Sequence, residues 1–318
     1  MSRRGRRRPA VDGPPVALAT SVGPLPLANP VMTASGTAGH GDELAAYVDL
    51  ASLGAVVVKS LSADPWPGNP APRVHETPAG MINSVGLQGP GVPTWLAEEL
   101  PAVLATGATV VASIWGTSVE DYGRAAELLA AAPPEVVAVE VNVSCPNHHD
   151  RGRMFAHSPD TTAAAVRAAS ACGRPMWAKL SPNVADLTPI AAAAVEAGAS
   201  AVTLVNTLLG MAIDPETRRP RLGGGGGGLS GPAVHPVAVR AVYDVHRALP
   251  ELPIVGVGGV ASGVDAVELM LAGASAVQVG TASFADPRST ARVRDELEDW
   301  CRAHGVRAVR ELIGAGHG

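Results

Sequence analysis

Eight short apolar runs, most of them rich in valine, recur along the chain with helix-like segments between them: residues 30–34, 55–59, 109–115, 136–143, 176–180, 201–206, 253–257 and 276–279. Their apolar residues do not alternate with polar ones, so neither face of such a strand can be turned to water. Strands buried on both faces are the parallel strands of α/β folds. Eight strand–helix units in succession close most simply into one (β/α)8 barrel of the TIM type, with helices outside and long functional loops at the carboxyl ends of the strands. A chain of 318 residues with 47% hydrophobic content can bury such a core without metals or disulfides. The expected organisation is a basic tail over residues 1–15 and one domain over residues 16–318.

The connecting segments carry helix punctuation. Ser158-Pro159 and Thr188-Pro189 read as an N-cap followed by a first-turn proline. Between Pro236 and Pro250, Ala238, Val242, Val245 and Leu249 recur at helical spacing and give one apolar stripe to lay on the barrel. An internal echo supports repetition of one unit: Ala197-Gly198-Ala199-Ser200-Ala201-Val202 returns as Ala272-Gly273-Ala274-Ser275-Ala276-Val277, each glycine suited to a left-handed helix end before a strand. Weaker versions stand at Leu53-Gly54-Ala55 and Thr106-Gly107-Ala108. Two stretches read as long functional loops. Residues 62–93 hold seven prolines, and residues 207–232 hold six consecutive glycines, Gly223 to Gly228, which suit either a floppy linker or a mobile lid near the site.

A net charge of −5 argues against nucleic-acid binding, which leans on a clustered positive field. Arg3, Arg4, Arg6, Arg7 and Arg8 form the one basic cluster and read as a solvated disordered tail. Pro14, Pro15, Pro24, Pro26 and Pro30 interrupt any signal or anchor segment behind it, so the chain is expected to be cytoplasmic. Cys145, Cys172 and Cys301 are odd in number and widely spaced, which disfavours a disulfide framework and any zinc or iron–sulfur site within the chain. Cys172 and Cys301 read as small buried hydrophobes. The adjacent His148 and His149 read as polar surface in preference to metal ligands, and no metal is expected.

In a barrel the chemistry sits where the strands end. The eight runs end in Ser35-Gly36, Lys59-Ser60, Ser113, Asn142 to Cys145, Lys179 with Ser181, Asn206-Thr207, Gly258-Gly259 and Gly280-Thr281. Two lysines at one small mouth matter most, because a buried ammonium needs an anionic or strongly accepting partner. The glycine pairs after the seventh and eighth runs stand where barrels commonly bind phosphate. Together these features suit a phosphorylated, polar, planar ligand such as FMN. Cys145 differs from the other cysteines in standing among polar neighbours at a strand end, where a thiol can act as base or nucleophile.

Lys59-Ser60-Leu61, Pro67-Gly68-Asn69-Pro70, Asn83-Ser84-Val85-Gly86-Leu87-Gln88, Asn142-Val143-Ser144-Cys145-Pro146-Asn147 and Asn206-Thr207-Leu208-Leu209-Gly210-Met211-Ala212-Ile213 resemble motifs of class 1 dihydroorotate dehydrogenases. The last of them, with Gly228-Leu229-Ser230-Gly231-Pro232-Ala233, resembles subclass B, and the resemblance extends from about residue 30 to residue 287. It implies an FMN enzyme that oxidises dihydroorotate to orotate in pyrimidine biosynthesis. Cys145 would then take a proton from C5 while hydride passes from C6 to flavin N5, and Lys179 would face the flavin's pyrimidine edge. Lys59 would contact flavin and substrate. Orotate would be held by Asn83, Ser84, Val85, Gly86, Leu87, Asn142, Asn147, Asn206 and Thr207. The rest of FMN would fall to Ser35, Ser60, Ser113, Asn142, Val205, Gly231, Gly258, Gly259, Gly280 and Thr281.

The chain departs from the subclass pattern at Ser113, where an asparagine is usual, in the length of its glycine run, and at His148-His149. The resemblance also implies a homodimeric core paired with a subunit that carries FAD and an iron–sulfur cluster and passes electrons to NAD; subclass A relatives are homodimers that use fumarate. Two other enzyme readings stand beside it. One is a dihydropyrimidine dehydrogenase-like flavoprotein, disfavoured by Asn147 where those relatives carry histidine. The other is a flavin-free barrel in which Lys179 forms a Schiff base.

Overall fold

The computed structural model describes residues 14–144 and 154–318. Eight parallel strands follow one another around a single sheet: β1 Val31–Thr33, β2 Val56–Val57, β3 Val110–Ile114, β4 Val136–Asn142, β5 Met176–Lys179, β6 Ala201–Leu204, β7 Ile254–Val257 and β8 Ala276–Val279. β8 pairs with β1, and a parallel bridge from Met32 to Ala55, with Gly54 N–H donating to Val31 O at 2.8 Å, joins β1 to β2 and closes the barrel. Each expected apolar run contains a strand of this barrel: the last, 276–279, coincides with β8, and the others are trimmed by one to three residues.

The barrel interior is layered. Met32, Val57, Val111, Ala138, Trp177, Ala201, Val255 and Ala276 form an apolar floor, against which Val22 and Leu27 of the antiparallel pair Thr20–Val22 and Leu25–Leu27 are packed. Above that floor the buried residues turn polar: Ser113, Glu140, Lys179, Thr203 and Gln278 are each at most 4% exposed. Hydrophobic pressure therefore closes the amino end of the barrel and leaves its polar groups toward the carboxyl end.

Helices α1 Leu100–Ala105, α2 Val119–Leu129, α3 Pro159–Ala169, α4 Thr188–Glu196, α5 His235–Ala248, α6 Gly263–Leu271 and α7 Ser289–Ala303 surround the strands. In α2 the residues at helical spacing, Tyr122, Ala125, Ala126 and Leu129, are buried. Tyr122 also donates its hydroxyl to Asn142 O at 2.7 Å, which ties this helix to the end of β4. The stripe on α5 lies as expected, with Ala238, Val242 and Val245 buried and Leu249 just beyond the helix end.

Four expectations change. Between β1 and β2 there are two short 3-10 turns, Glu43–Ala46 and Leu50–Ser52, in place of an α-helix. Asp49 divides the connection: its backbone is extended and its side chain accepts from Ala51 N–H at 3.2 Å, so a new turn is capped where a longer helix would have continued. Ser158 is the N-cap of α3, but its side chain makes no capping bond, and Thr188 is already helical in α4; there Asp186 accepts from Thr188 N–H at 2.9 Å. Gly198 and Gly273 have φ of +105° and +124°, as the echoed motif requires, whereas Gly54 is needed for close approach: a Cβ there would stand 2.3 Å from Asn29 O.

The two long loops are also more regular than expected. Val74–Thr77 and Gly80–Asn83 from the first, with Leu208–Gly210 and Gly227–Ser230 from the second, build a four-stranded antiparallel sheet. The glycine run is thus no linker. Gly227 and Gly228 are strand residues, and a Cβ on Gly228 would fall 2.1 Å from Thr207 Oγ1. The small side of these residues lets the two long segments pack on each other beside the barrel mouth. The arginine cluster at residues 3–8 lies outside the described residues. Near the start of the described residues, Ala17 N–H donates to Arg307 O at 2.9 Å. Among the described residues no helix is long and apolar enough to cross a membrane.

Candidate active site

A cavity of about 540 Å³ opens at the carboxyl ends of the strands, within the usual size of a small-molecule site. One end is lined by backbone and small groups: Gly231, Gly258, Gly259, Gly280 and Thr281. Side chains are excluded there on geometric grounds, since a Cβ on Gly258, at φ +137°, would meet Ala238 Cβ at 2.7 Å, and one on Gly231 would meet Gly80 Cα at the same distance. The other end is rich in amides. Asn206 Nδ2 donates to Asn142 Oδ1 at 3.1 Å, Asn142 Nδ2 donates to Ser60 Oγ at 3.2 Å, and Ser60 Oγ pairs with Ser113 Oγ at 2.8 Å. The ends of β2, β3, β4 and β6 are thereby tied into one hydrogen-bonded row.

Residues 83–87 approach from the antiparallel sheet. Asn83 Nδ2 donates to Gly228 O at 3.2 Å, and Gly86 and Leu87 both take left-handed backbone, φ +72° and +62°, which turns the chain back at the cavity wall. Leu87 lacks glycine's freedom there, and strained backbone of this kind collects at binding sites. Ser84, Val85, Gly86 and Leu87 all line the cavity.

Lys59 and Lys179 line the same cavity, three strands apart around the barrel. The anionic partner that the sequence reading sought in a ligand is, for Lys179, supplied by the protein. Its Nζ lies 3.3 Å from Glu140 Oε1, 3.3 Å from Gln278 Oε1 and 3.2 Å from Ser35 Oγ. Beside Lys59 stands His40, whose carbonyl accepts from Trp95 Nε1 at 2.8 Å. Burial first and the Lys59 charge second push the His40 imidazole down to about 4, against a weaker pull from Glu43.

An unfolded histidine titrates near 6.5, so between about pH 6.5 and 4 the unfolded chain takes up a proton that the folded protein refuses. His40 therefore lowers stability as pH falls through that window. Thermal midpoints from pH 7 to 4 are expected to fall less for His40→Phe than for the unaltered protein, and parallel curves would refute the assignment.

Of the site residues expected from sequence, Ser35, Lys59, Ser60, Asn83, Ser84, Val85, Gly86, Leu87, Asn142, Lys179, Val205, Asn206, Thr207, Gly231, Gly258, Gly259, Gly280 and Thr281 line this one cavity. Ser113 does not. It is fully buried behind Ser60, and its hydroxyl supports Ser60 instead of facing a ligand. Cys145, Asn147 and the His148-His149 pair lie outside the described residues. Cys172 and Cys301 are buried, at 1% and 0% exposure.

Sequence reasoning missed several groups. Asn69, in the Pro67-Gly68-Asn69-Pro70 motif, donates its Nδ2 to Ser84 Oγ at 2.8 Å and braces the 83–87 segment. Asn183 grips the 207–209 segment, donating to Thr207 O at 3.0 Å and accepting from Leu209 N–H at 2.8 Å. Trp66 and Trp115 meet edge to face, centroids 5.4 Å apart, and both line the cavity. Glu140 had a readable signal, a lone charge inside an apolar strand run.

Comparison with known proteins adds to this geometry. The family model described as dihydroorotate dehydrogenase matches residues 17–300. A protein of Desulforudis audaxviator named dihydroorotate dehydrogenase B (NAD(+)), catalytic subunit, is 50% identical over 303 residues, covering 95% of this chain and 98% of its own. Proteins of the same name from Pelobacter propionicus and Geotalea daltonii are 48% and 46% identical, covering 92% and 94% of this chain and 95% and 97% of their own lengths.

Proposed function

Because the chain belongs to the dihydroorotate dehydrogenase family, we propose that it is the catalytic subunit of a type B enzyme, oxidising (S)-dihydroorotate to orotate in pyrimidine biosynthesis. The observation that carries this reading is the two-ended cavity, with glycine backbone at one end, amides at the other and two lysines on its wall.

The residues fit a flavin mononucleotide. The end built of glycine backbone at Gly258, Gly259 and Gly280 with the small Thr281 suits a phosphate, being formed by the loops after β7 and β8. Ser35, Ser60, Val205 and Gly231 would hold the remainder, and Lys179 would meet the polar edge of the ring system. Bound there, FMN supplies the hydride acceptor. Asn83, Asn142, Asn206 and Thr207 offer the paired donors and acceptors that a planar ring of imide and carboxylate edges requires. Lys59, which lines the same cavity, would contact both flavin and substrate and balance the substrate's carboxylate.

Cys145 would serve as the base that takes the C5 proton. Its motif, Asn142 to Asn147, supports the role, as do Ser144 and Met154, which stand on either side of residues 145–153 and both line the cavity. Asn147 would add to the substrate's contacts. We further propose one catalytic domain over residues 16–318, a homodimeric core in the cytoplasm, and a second subunit carrying FAD and an iron–sulfur cluster that delivers electrons to NAD. The names of the relatives, catalytic subunits of NAD(+)-linked enzymes, favour this over fumarate as acceptor. An isolated chain that reduces fumarate efficiently would overturn the partner proposal.

The test of the main reading is anaerobic mixing of the purified protein with dihydroorotate while flavin absorbance is followed. Rapid bleaching is expected. A flavin-loaded protein that does not bleach overturns the substrate, and a protein that neither contains nor takes up FMN overturns the cofactor.

A further inference from the structure

The polar layer inside the barrel contains a charge that the reaction does not touch. Glu140 is 0% exposed and stands on β4 between Val139 and Val141, in a run otherwise suited to full burial. A carboxylate in that position is costly unless it is paired, and well-packed apolar residues in place of a buried ion pair are often neutral or stabilising. Stability alone therefore gives little reason for Glu140.

Its contacts give another. Glu140 Oε1 lies 3.3 Å from Lys179 Nζ, and Glu140 Oε2 accepts from Gln278 Nε2 at 2.8 Å. Gln278 Oε1 in turn accepts from Lys179 Nζ at 3.3 Å. The amide can face only one way, since an ammonium has no acceptor and a carboxylate no donor, so Gln278 locks the two charges in one arrangement. Of the three side chains only Lys179 lines the cavity. A ligand at the mouth meets the ammonium, with its counter-charge fixed directly behind.

We propose that Glu140, held by Gln278, is a positioning residue that sets the electrostatic potential Lys179 presents to the flavin. This rests on the flavin reading above. A lone ammonium at the ring would favour the electron-rich reduced form strongly and so retard onward electron transfer; a carboxylate 3.3 Å behind it turns a monopole into a dipole and moderates that preference. Glu140 thus adjusts how readily the flavin is reduced without meeting substrate or cofactor.

The test is equilibration of the flavin-loaded protein with a redox dye of known potential. First, flavin content and bleaching by dihydroorotate are verified on the unaltered protein, so that failure of the flavin reading is seen separately. Glu140→Gln keeps the shape and an acceptor for Lys179 but removes the charge. Its ratio of reduced to oxidised flavin at a fixed dye potential is expected to rise at least tenfold, about 30 mV for a two-electron couple. Glu140→Asp keeps the charge but draws it back by one methylene, and a smaller rise of the same sign, about threefold, is expected. Should Glu140→Gln fail to fold with flavin, Glu140→Asp decides. An unchanged ratio in the flavin-loaded variants, with only thermal stability altered, overturns the proposal and leaves Glu140 a structural residue.

Discussion

Flavin reduction by dihydroorotate is expected to slow by about 10²–10⁴-fold in Cys145→Ala, the usual cost of removing a positioned general base. Flavin content and the affinity for orotate should be nearly unchanged, because alanine leaves the lysines, the amide row and the glycine-lined end in place. The other two thiols supply the control. Burial pushes Cys172 up, and burial together with Glu311 and Glu298 pushes Cys301 up to about 11. Neither can supply a thiolate near neutral pH, and both are buried away from the cavity, so Cys172→Ala and Cys301→Ala should reduce flavin at the unaltered rate. Stopped-flow traces of the three variants separate the cases. If Cys145→Ala bleaches as fast as the unaltered protein, the proton leaves C5 by another route and the base must be sought among the cavity's remaining groups.

How much of this was legible in the residues depends on which physical scale each feature obeys. The barrel strands were readable because burial on both faces forces an unbroken apolar run, a local signature that Val110–Ile114 and Val136–Asn142 show plainly. The cavity's wall was readable for a related reason: barrel geometry sends every strand end to one mouth, so Lys179 and Asn206 could be placed together without knowing their contacts. What local pattern could not report was pairing across the chain. The glycine run suits a linker or a lid equally in sequence, and only the approach of Gly228 to Thr207 and its pairing with Asn83 decide for a strand, because close approach between distant backbones leaves no trace in periodicity. Ser113 and Ser60 were equivalent as strand-end hydroxyls, and only the 2.8 Å bond between them shows that one faces the cavity and the other supports it. Helix ends failed on a finer scale, with Asp186 rather than Thr188 accepting the first-turn N–H of α4. Glu140 is the instructive miss. A charged residue in a buried strand has few tolerable explanations, and its partner had to be one of the few cations at the mouth.

That pairing sets the second large effect. Lys179→Met keeps the volume of the side chain's stem but leaves the Glu140 carboxylate fully buried, with Gln278 Nε2 as the hydrogen-bond donor that remains to it among the contacts described above. Breaking a buried pair from one side typically costs about 3–5 kcal/mol, since the desolvated charge stays behind without its partner. Denaturant unfolding should show this loss, and it should be measured on flavin-free protein, because a ligand that binds only the folded state would add its own contribution and conceal part of the difference. The double variant Lys179→Met, Glu140→Leu removes both charges and is expected to regain most of the stability, giving a coupling energy well above the few tenths of a kcal/mol at which separate sites merely add. Such a result would mean that the pair is kept against a stable apolar alternative, which is what its proposed work at the flavin requires. If the double variant is no more stable than Lys179→Met alone, the two charges do not act as a unit, and the cost of the single change lies in packing at the barrel mouth.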